Sequence, residues 1–426
     1  MTSHPLRIAI LGLHYSPEVT GNAPYTSSLA SALAALGHEV RVITSHPHYP
    51  EWRIREGYGR WVSTETIDGV SVKRLRHFVP RQPGNLSRLV SEISFGLRII
   101  LTPWGRPDVV LLVSPALFST AMAGVRARFG IRRPPVGVWV QDFYSLGMAE
   151  TGSGGKLAVQ LLRRVEAFAL RSASGVAAIH ERFKSHMISG LGVKRDAIVV
   201  IRNWTHLQEA TTFDGVTVRE RLGWTADETV VLHAGNMGLK QGLDNVVEAA
   251  RLADKLGLPV KFVLMGNGNQ RSRLESAAQG IGRISFIDSL PDAMFQAALG
   301  SADVLLVNEL PGVTEMSVPS KLTSYFSTGL PVIGATDVGS VTAGELDESG
   351  GGIRVDPGRP DNLLDGVLLL AENTELRNSL GVSGLRYRQT TLSEEVAVSK
   401  FAAWLESLAE TRRSSNQGTR PTDLER

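Results

Sequence analysis

The sequence predicts an α/β protein of two doubly wound domains, each a mostly parallel sheet covered by helices. Three observations carry this. Short apolar runs alternate with stretches of helical period in both halves of the chain. The 426 residues exceed what one hydrophobic core usually organises. Glycine-rich segments follow several of the apolar runs, which is where open α/β sheets hold their ligands.

Taken in order, Arg7-Ile8-Ala9-Ile10-Leu11 is the first strand; its run is too short for a signal peptide, so a cytoplasmic protein is expected. Gly21-Asn22 then precede a helix in which Pro24 suits the first turn and Leu29, Ala32, Leu33 and Leu36 mark the packed face. A phosphate loop has this placement, but the G-x-G-x-x-G spacing and a Walker lysine are both missing. Further strands are expected over 39–44, 108–113, 136–140, 175–179 and 198–201. Asp68-Gly69 marks a hairpin, read as an antiparallel decoration outside the central sheet. His46 and His48 suggest a metal-ligand pair, but no cysteine or carboxylate completes a set in the sequence, so no metal is expected. From Arg76 to Arg106 arginines interleave with apolar residues, and Glu92 and Arg98 interrupt the stretch too early for a membrane span. Two readings stand: an ordinary surface helix, or an amphipathic segment on a membrane, inserting Phe95, Ile99, Ile100 and Trp104.

In the second half, strands are expected over 230–234, 260–265, 303–307 and 331–334. Gly235, Gly238 and Gly242 form a loop around Lys240, pinned by a helix whose packed face is Leu243, Val246, Val247 and Ala250. Gly266 and Gly268 follow the next strand, where small residues let a flat ligand approach the backbone. Leu322, Tyr325 and Phe326 define a short helix with Pro319, Ser320 and Lys321 at its start, a natural anion site. Together these loops and Lys321 point to a nucleotide diphosphate. The expected division is 1–204, 205–390, a terminal helix over 391–410 whose return to the first domain is left open, and a disordered tail over 411–426.

No cysteine is present, which excludes disulfides, thiolate metal sites and thiol nucleophiles. The net charge of +3 hides a split: residues 1–203 carry 25 Lys+Arg against 13 Asp+Glu, and the remainder 20 against 29. The first half therefore either meets an anionic surface or ligand or presents a solvated basic face. Nucleic acid is not expected as a partner.

Four segments together, residues 17–44, 234–252, 265–277 and 318–335, resemble glycosyltransferase family 4, in the bacterial polysaccharide branch that includes colanic-acid-type transferases. The resemblance spans nearly the whole chain. It implies a GT-B fold with two Rossmann-like domains facing a central cleft, a nucleotide-sugar donor on the C-terminal domain, an acceptor on the N-terminal domain, retention at the anomeric carbon, and no cofactor or required metal. The family's donor-phosphate lysine matches Lys240, while its preceding basic residue is replaced by Asn236. Its two glutamates, with seven residues between them, fall on Met316 and Ser324; Glu315, one position away, or Glu309 takes the first role. The expected donor-binding set is Gly21, Asn22, Gly235, Asn236, Gly266, Asn267, Gly268, Ser289, Leu290, Met316, Ser317, Val318, Pro319, Ser320 and Ser324. Lys240, Lys321, Asp142 and Glu315 are the expected catalytic residues, with Asp142 either holding a sugar hydroxyl or capping a turn. His46, His48, Tyr49, Trp52 and Gln141 are expected to recognise the acceptor. The two lysines would neutralise the leaving diphosphate, which could itself accept the acceptor's proton, and cleft closure would exclude water. A lipid-linked glycan at the inner membrane surface is the expected acceptor; a small soluble glycoside, or a non-catalytic nucleotide-sugar binder, is the alternative.

Overall fold

The computed structural model describes residues 5–19, 21–82, 84–130, 132–151, 155–204, 214–313 and 320–417. The chain forms two units, Met1–Asn203 with Glu394–Arg426, and Trp204–Ser393.

The strands of unit 1 are β1 (Arg7–Leu11), β2 (Glu39–Ser45), β3 (Val62–Ile67), β4 (Val70–Leu75), β5 (Val109–Ser114), β6 (Val136–Val140), β7 (Gly175–Ala178) and β8 (Ile198–Val200). Its helices are α1 (Ala23–Ala35), α2 (Asn85–Leu101), α3 (Leu117–Phe129), α4 (Tyr144–Thr151), α5 (Lys156–Arg171) and α6 (Glu181–Ser189). The sheet order is β3-β4-β2-β1-β5-β6-β7-β8, parallel except for β3. β5 and β6 are buried at every position, as a sheet covered on both faces requires.

Two expectations fail here. The hairpin belongs to the central sheet, because β4 pairs in parallel with β2 from Arg41–Ser71 to Ser45–Leu75. Arg74 of β4 is fully buried, its guanidinium donating to Glu65, to the Ser16 carbonyl and, at 3.1 Å, to the Ser45 carbonyl. In the arginine-rich stretch, Phe95, Ile99 and Trp104 are core residues rather than membrane anchors. The outward face of α2 carries a different set, Leu86, Val90, Ile93, Leu97 and Leu101, spaced by three or four residues.

Unit 2 contains β9 (Thr229–Ala234), β10 (Val260–Met265), β11 (Ile284–Ile287), β12 (Val304–Asn308), β13 (Val332–Ala335) and β14 (Gly352–Val355). Its helices are α7 (Gly215–Leu222), α8 (Asp244–Lys255), α9 (Arg271–Ala277), α10 (Asp292–Gly300), α11 (Ser320–Phe326), α12 (Val341–Ser349), α13 (Pro360–Glu372) and α14 (Thr374–Thr390). All pairings are parallel, in the order β11-β10-β9-β12-β13-β14. This is the doubly wound order, with the switch point between β9 and β12. Unit 1 has the same plan, with its switch point between β1 and β5. β11 and β14, half-buried throughout, were not expected from the sequence.

After α14 the chain returns to unit 1 as α15 (Glu394–Gln417). The helix continues past residue 410, so the tail expected to begin at 411 is helical to Gln417. Phe401 packs edge-on to Trp139 with ring centroids 4.7 Å apart. A Cβ on Gly137 of β6 would lie 2.7 Å from Trp404 Cη2, so that glycine makes room for the returning helix.

Candidate active site

At the switch point of unit 2, His233 lies within the apolar run of β9 and is fully buried. Its Nδ1–H donates to the Leu306 carbonyl at 3.2 Å, which leaves Nε2 as an acceptor. Lys321 Nζ donates to that Nε2 at 2.9 Å. Burial, then the Lys321 charge, push the imidazole well below its ordinary pKa, so it stays neutral. Lys321 is pushed down by burial to about 7, with the Glu309 carboxylate opposing the fall. The lysine is therefore turned inward, not displayed at a helix terminus as the sequence suggested. α11 has seven residues, too short for a substantial macrodipole.

Glu309 follows β12. It accepts from the Thr342 hydroxyl at 2.6 Å and from the Thr336 hydroxyl, and burial raises its pKa against those hydrogen bonds. Gly235 follows β9 at φ +123, where a Cβ would meet Lys321 Cε at 3.0 Å, so glycine serves both the backbone and the lysine. The next turn, Leu239–Gln241, carries Lys240 half-buried and Asn236 exposed before it. Asn308, at the end of β12, holds that turn by donating to the carbonyls of Gln241 and Gly242 at 2.8 and 3.0 Å.

Gly266 and Gly268 serve the protein itself. A Cβ on Gly266 would lie 2.1 Å from the Gly235 carbonyl oxygen, and one on Gly268 2.4 Å from that of Met237. The two loops are laced by Met237 N–H to Asn267 O at 2.8 Å. Arg271 straps them further, bonding the Gly266 carbonyl and Asn267 Oδ1, each at 2.8 Å, and Asp288. Ser289 and Leu290 follow β11 at this same sheet edge. Ser324 is half-buried on α11. Ser320 opens α11 but its side chain lies outside the described residues, as do Glu315, Met316, Ser317, Val318 and Pro319.

In unit 1 the expected acceptor set divides. His46, His48 and Gln141 are buried and serve as frame: His46 Nε2 meets the Arg60 carbonyl at 2.8 Å, His48 Nδ1 the His46 carbonyl at 2.9 Å, and Gln141 Oε1 accepts from Asn203 at 2.7 Å. Asp142 is exposed and accepts from the N–H of its neighbour Phe143 at 2.8 Å, just before α4. Tyr49 and Trp52 are half-buried, 6.0 Å apart by ring centroid. Gly21 is exposed at φ +64; Asn22 is buried, reaching the Ser114 carbonyl of β5 at 3.4 Å.

Sequence reasoning missed His233, hidden in an apolar run, and the pair His14–Glu18, whose one signal is a four-residue spacing just after β1. His14 Nδ1 lies 2.7 Å from Glu18 Oε2, and Glu18 Oε1 accepts the N–H groups of His48 and Tyr49 at 2.7 and 2.8 Å. Although a carboxylate thus stands beside His48, no group of three or more His, Asp or Glu among the described residues is arranged to hold a metal ion.

Residues 20–204 match the glycosyl transferase 4-like domain and residues 228–373 the glycosyl transferases group 1 family. Over 417 residues the chain is 31% identical to the putative colanic acid biosynthesis glycosyl transferase WcaI of Escherichia coli (strain K12), covering 93% of this chain and 98% of that protein. It is 25% identical over 346 residues to the GDP-mannose-dependent alpha-mannosyltransferase of Mycolicibacterium smegmatis, 78% of this chain and 80% of that one. Among solved structures, HepE of Anabaena in complex with UDP superposes with a TM-score of 0.68 at 17% identity, covering 94% of this chain and 100% of that one, a likeness of fold. The fold is that of the GT-B glycosyltransferases. The chain belongs to glycosyltransferase family 4 and is a glycosyltransferase.

Proposed function

We propose that the protein moves a sugar, with retention, from a nucleotide-diphosphate sugar to a hydroxyl of a lipid-linked glycan in cell-surface polysaccharide synthesis. The observation that carries this is the setting of Lys321. It is an amine held by His233 at the switch point of unit 2, beside a glycine shaped around it. As the glycosidic bond lengthens, charge grows on the leaving diphosphate, and a positioned cation in a partly dehydrated site stabilises it. Lys240, on the turn after β9, supplies the second charge, and no metal enters this reading. The relatives' names support the donor class: one is GDP-mannose-dependent, and HepE was solved with UDP. WcaI's name supports a polysaccharide product.

A lipid-linked acceptor is supported by the outer face of unit 1. α2 and α5 both pack on α3. α2 exposes its apolar stripe; α5 exposes Leu157, Leu161 and Phe168; α3 exposes Phe129. Arg88, Lys156, Arg163 and Arg164 stand among them, while Glu92 and Glu166, the acidic residues of α2 and α5, are buried. Among the described residues no helix is long and apolar enough to cross a membrane. This face therefore suits docking on the anionic inner surface of the cytoplasmic membrane.

Incubation with UDP-, GDP- and dTDP-sugars and lipid-linked acceptors, read by mass spectrometry, is expected to show one sugar added to the lipid-linked glycan. Transfer to soluble glycosides alone would favour a small acceptor. Neither transfer nor donor hydrolysis would leave a binding protein.

A further inference from the structure

We propose that His14, fastened by Glu18, is the group of unit 1 that hydrogen-bonds the acceptor hydroxyl through Nε2 and takes its proton during transfer. The inference rests on the glycosyl-transfer reading above and assigns an acceptor-side residue to it.

His14 stands three residues after β1, at the switch point where a doubly wound sheet opens its crevice. Glu18 is buried and held as a carboxylate. Burial pushes its pKa up, but hydrogen bonds from His14 and from the N–H groups of His48 and Tyr49 work against that, and the carboxyl stays below its ordinary value. An ionised carboxylate only accepts, so the proton on the His14 ring must sit on Nδ1. Nε2 is then the basic nitrogen, on a side chain 19% exposed while its carboxylate partner is 2% exposed. A base oriented by a buried carboxylate is the arrangement that proton abstraction from a hydroxyl needs.

The surroundings suit a sugar. The His14 ring lies 5.2 Å from that of Tyr49, and Tyr49 lies 6.0 Å from Trp52. Trp52 is held at φ +52, a left-handed conformation unfavourable for a bulky residue. The Arg88 guanidinium sits 5.2 Å from the centre of its ring. Half-buried aromatic faces beside a hydrogen-bonding nitrogen offer both apolar and polar contact to a pyranose.

In the step, the acceptor oxygen bonds to the anomeric carbon while the bond from that carbon to the diphosphate oxygen breaks. The electron pair leaves with the diphosphate. The hydroxyl proton passes to Nε2, and the resulting imidazolium faces the Glu18 carboxylate. The rival destination for the proton is the departing phosphate itself.

The charged and titratable groups around His14 are Glu18 on its own loop, His48 and Tyr49 after β2, His77 after β4, and Glu92 on α2. Burial keeps His48 below its ordinary pKa and pushes His77 down to about 3, so both stay neutral. Burial pushes Glu92 up to about 7, so it titrates in the working range and needs its own control.

The test measures transfer rates from pH 6 to 9 for wild type, His14→Gln, Glu18→Gln and Glu92→Gln, with UDP and GDP binding followed by calorimetry. His14→Gln is expected to lower kcat by about 100-fold or more, while nucleotide binding changes by less than about twofold. In Glu18→Gln, the amide oxygen keeps the two backbone hydrogen bonds and the amide nitrogen donates to Nδ1, moving the ring proton to Nε2. A fall in kcat of about tenfold or more is expected there, with the circular dichroism spectrum unchanged. Glu92→Gln is expected to stay within about threefold of wild type at every pH, which separates the Glu92 titration from the loss at His14. Wild-type turnover tests the transferase reading, and the ratio of variant to wild type tests His14. A His14→Gln enzyme within about threefold of wild type across the pH range overturns the proposal and gives the proton to the phosphate.

Discussion

Lys321 carries the heaviest conflict in the molecule between stability and use. Its amine is pushed down to about 7 by burial, so the unfolded chain binds more protons than the folded one between about pH 7 and the ordinary lysine value of 10.5. Stability is therefore expected to rise with pH across that window, and Lys321→Met should flatten the rise in a series of urea melts. An arriving diphosphate favours the ammonium, so donor binding above pH 7 should draw in about one proton and weaken as pH rises. Calorimetry of UDP or GDP at pH 8, in two buffers of different ionisation enthalpy, reads that uptake directly, and Lys321→Met should lose it. Turnover is expected to fall by about 2–4 kcal/mol of barrier for Lys321→Ala and for Lys240→Ala, from initial rates at saturating substrates. Near-wild-type turnover in both would remove the phosphate role from both lysines.

At the scale of elements, the loops after β9 and β10 are one structure, because Gly266 lets them touch backbone to backbone. Gly266→Ala places a Cβ at φ +131 and 2.1 Å from a carbonyl oxygen, and is expected to destabilise unit 2 by about 3 kcal/mol or more in chemical denaturation. The sequence marks these glycines as special but cannot say whether a ligand or a neighbouring loop fills the space. Similar limits apply to the strands. β1, β6 and β10 are legible because a short, nearly continuous apolar run of five or six residues fits best in a sheet covered on both faces. β11 and β14 are four-residue, half-buried edges with little pattern to read. The place of β4 in the sheet is hard to read because two of the three partners of its buried arginine, the Ser16 and Ser45 carbonyls, are remote in sequence. In the candidate site, Lys321 and Lys240 announce themselves as basic residues beside glycine loops. His233 and His14 do not, since what qualifies a histidine is the partner on its other nitrogen, and Leu306 is remote in sequence.

For the whole molecule, the charge split and the outer face of unit 1 make one expectation. Each basic residue near an anionic leaflet contributes about 1 kcal/mol, a part that salt weakens, while the apolar stripe of α2 adds a part that salt does not remove. Flotation should therefore show binding to vesicles containing phosphatidylglycerol, reduced but not lost at high salt, and Leu97→Glu with Leu101→Glu should abolish the residual binding. Equal failure on anionic and neutral vesicles at low salt would remove the membrane from the account. The return of α15 to unit 1 also bears on how the protein is made. Residues 394–417 leave the ribosome after all of unit 2, yet Trp404 and Leu408 fill the hollows beside Gly137 and Gly175 in β6 and β7. Unit 2 lies wholly between the two parts of unit 1 and has all of its strands before that helix emerges. The half whose synthesis starts first is thus the half that is sealed last, and throughout translation of unit 2 it keeps an apolar face of its sheet uncovered, the interval in which a nascent chain most needs a chaperone.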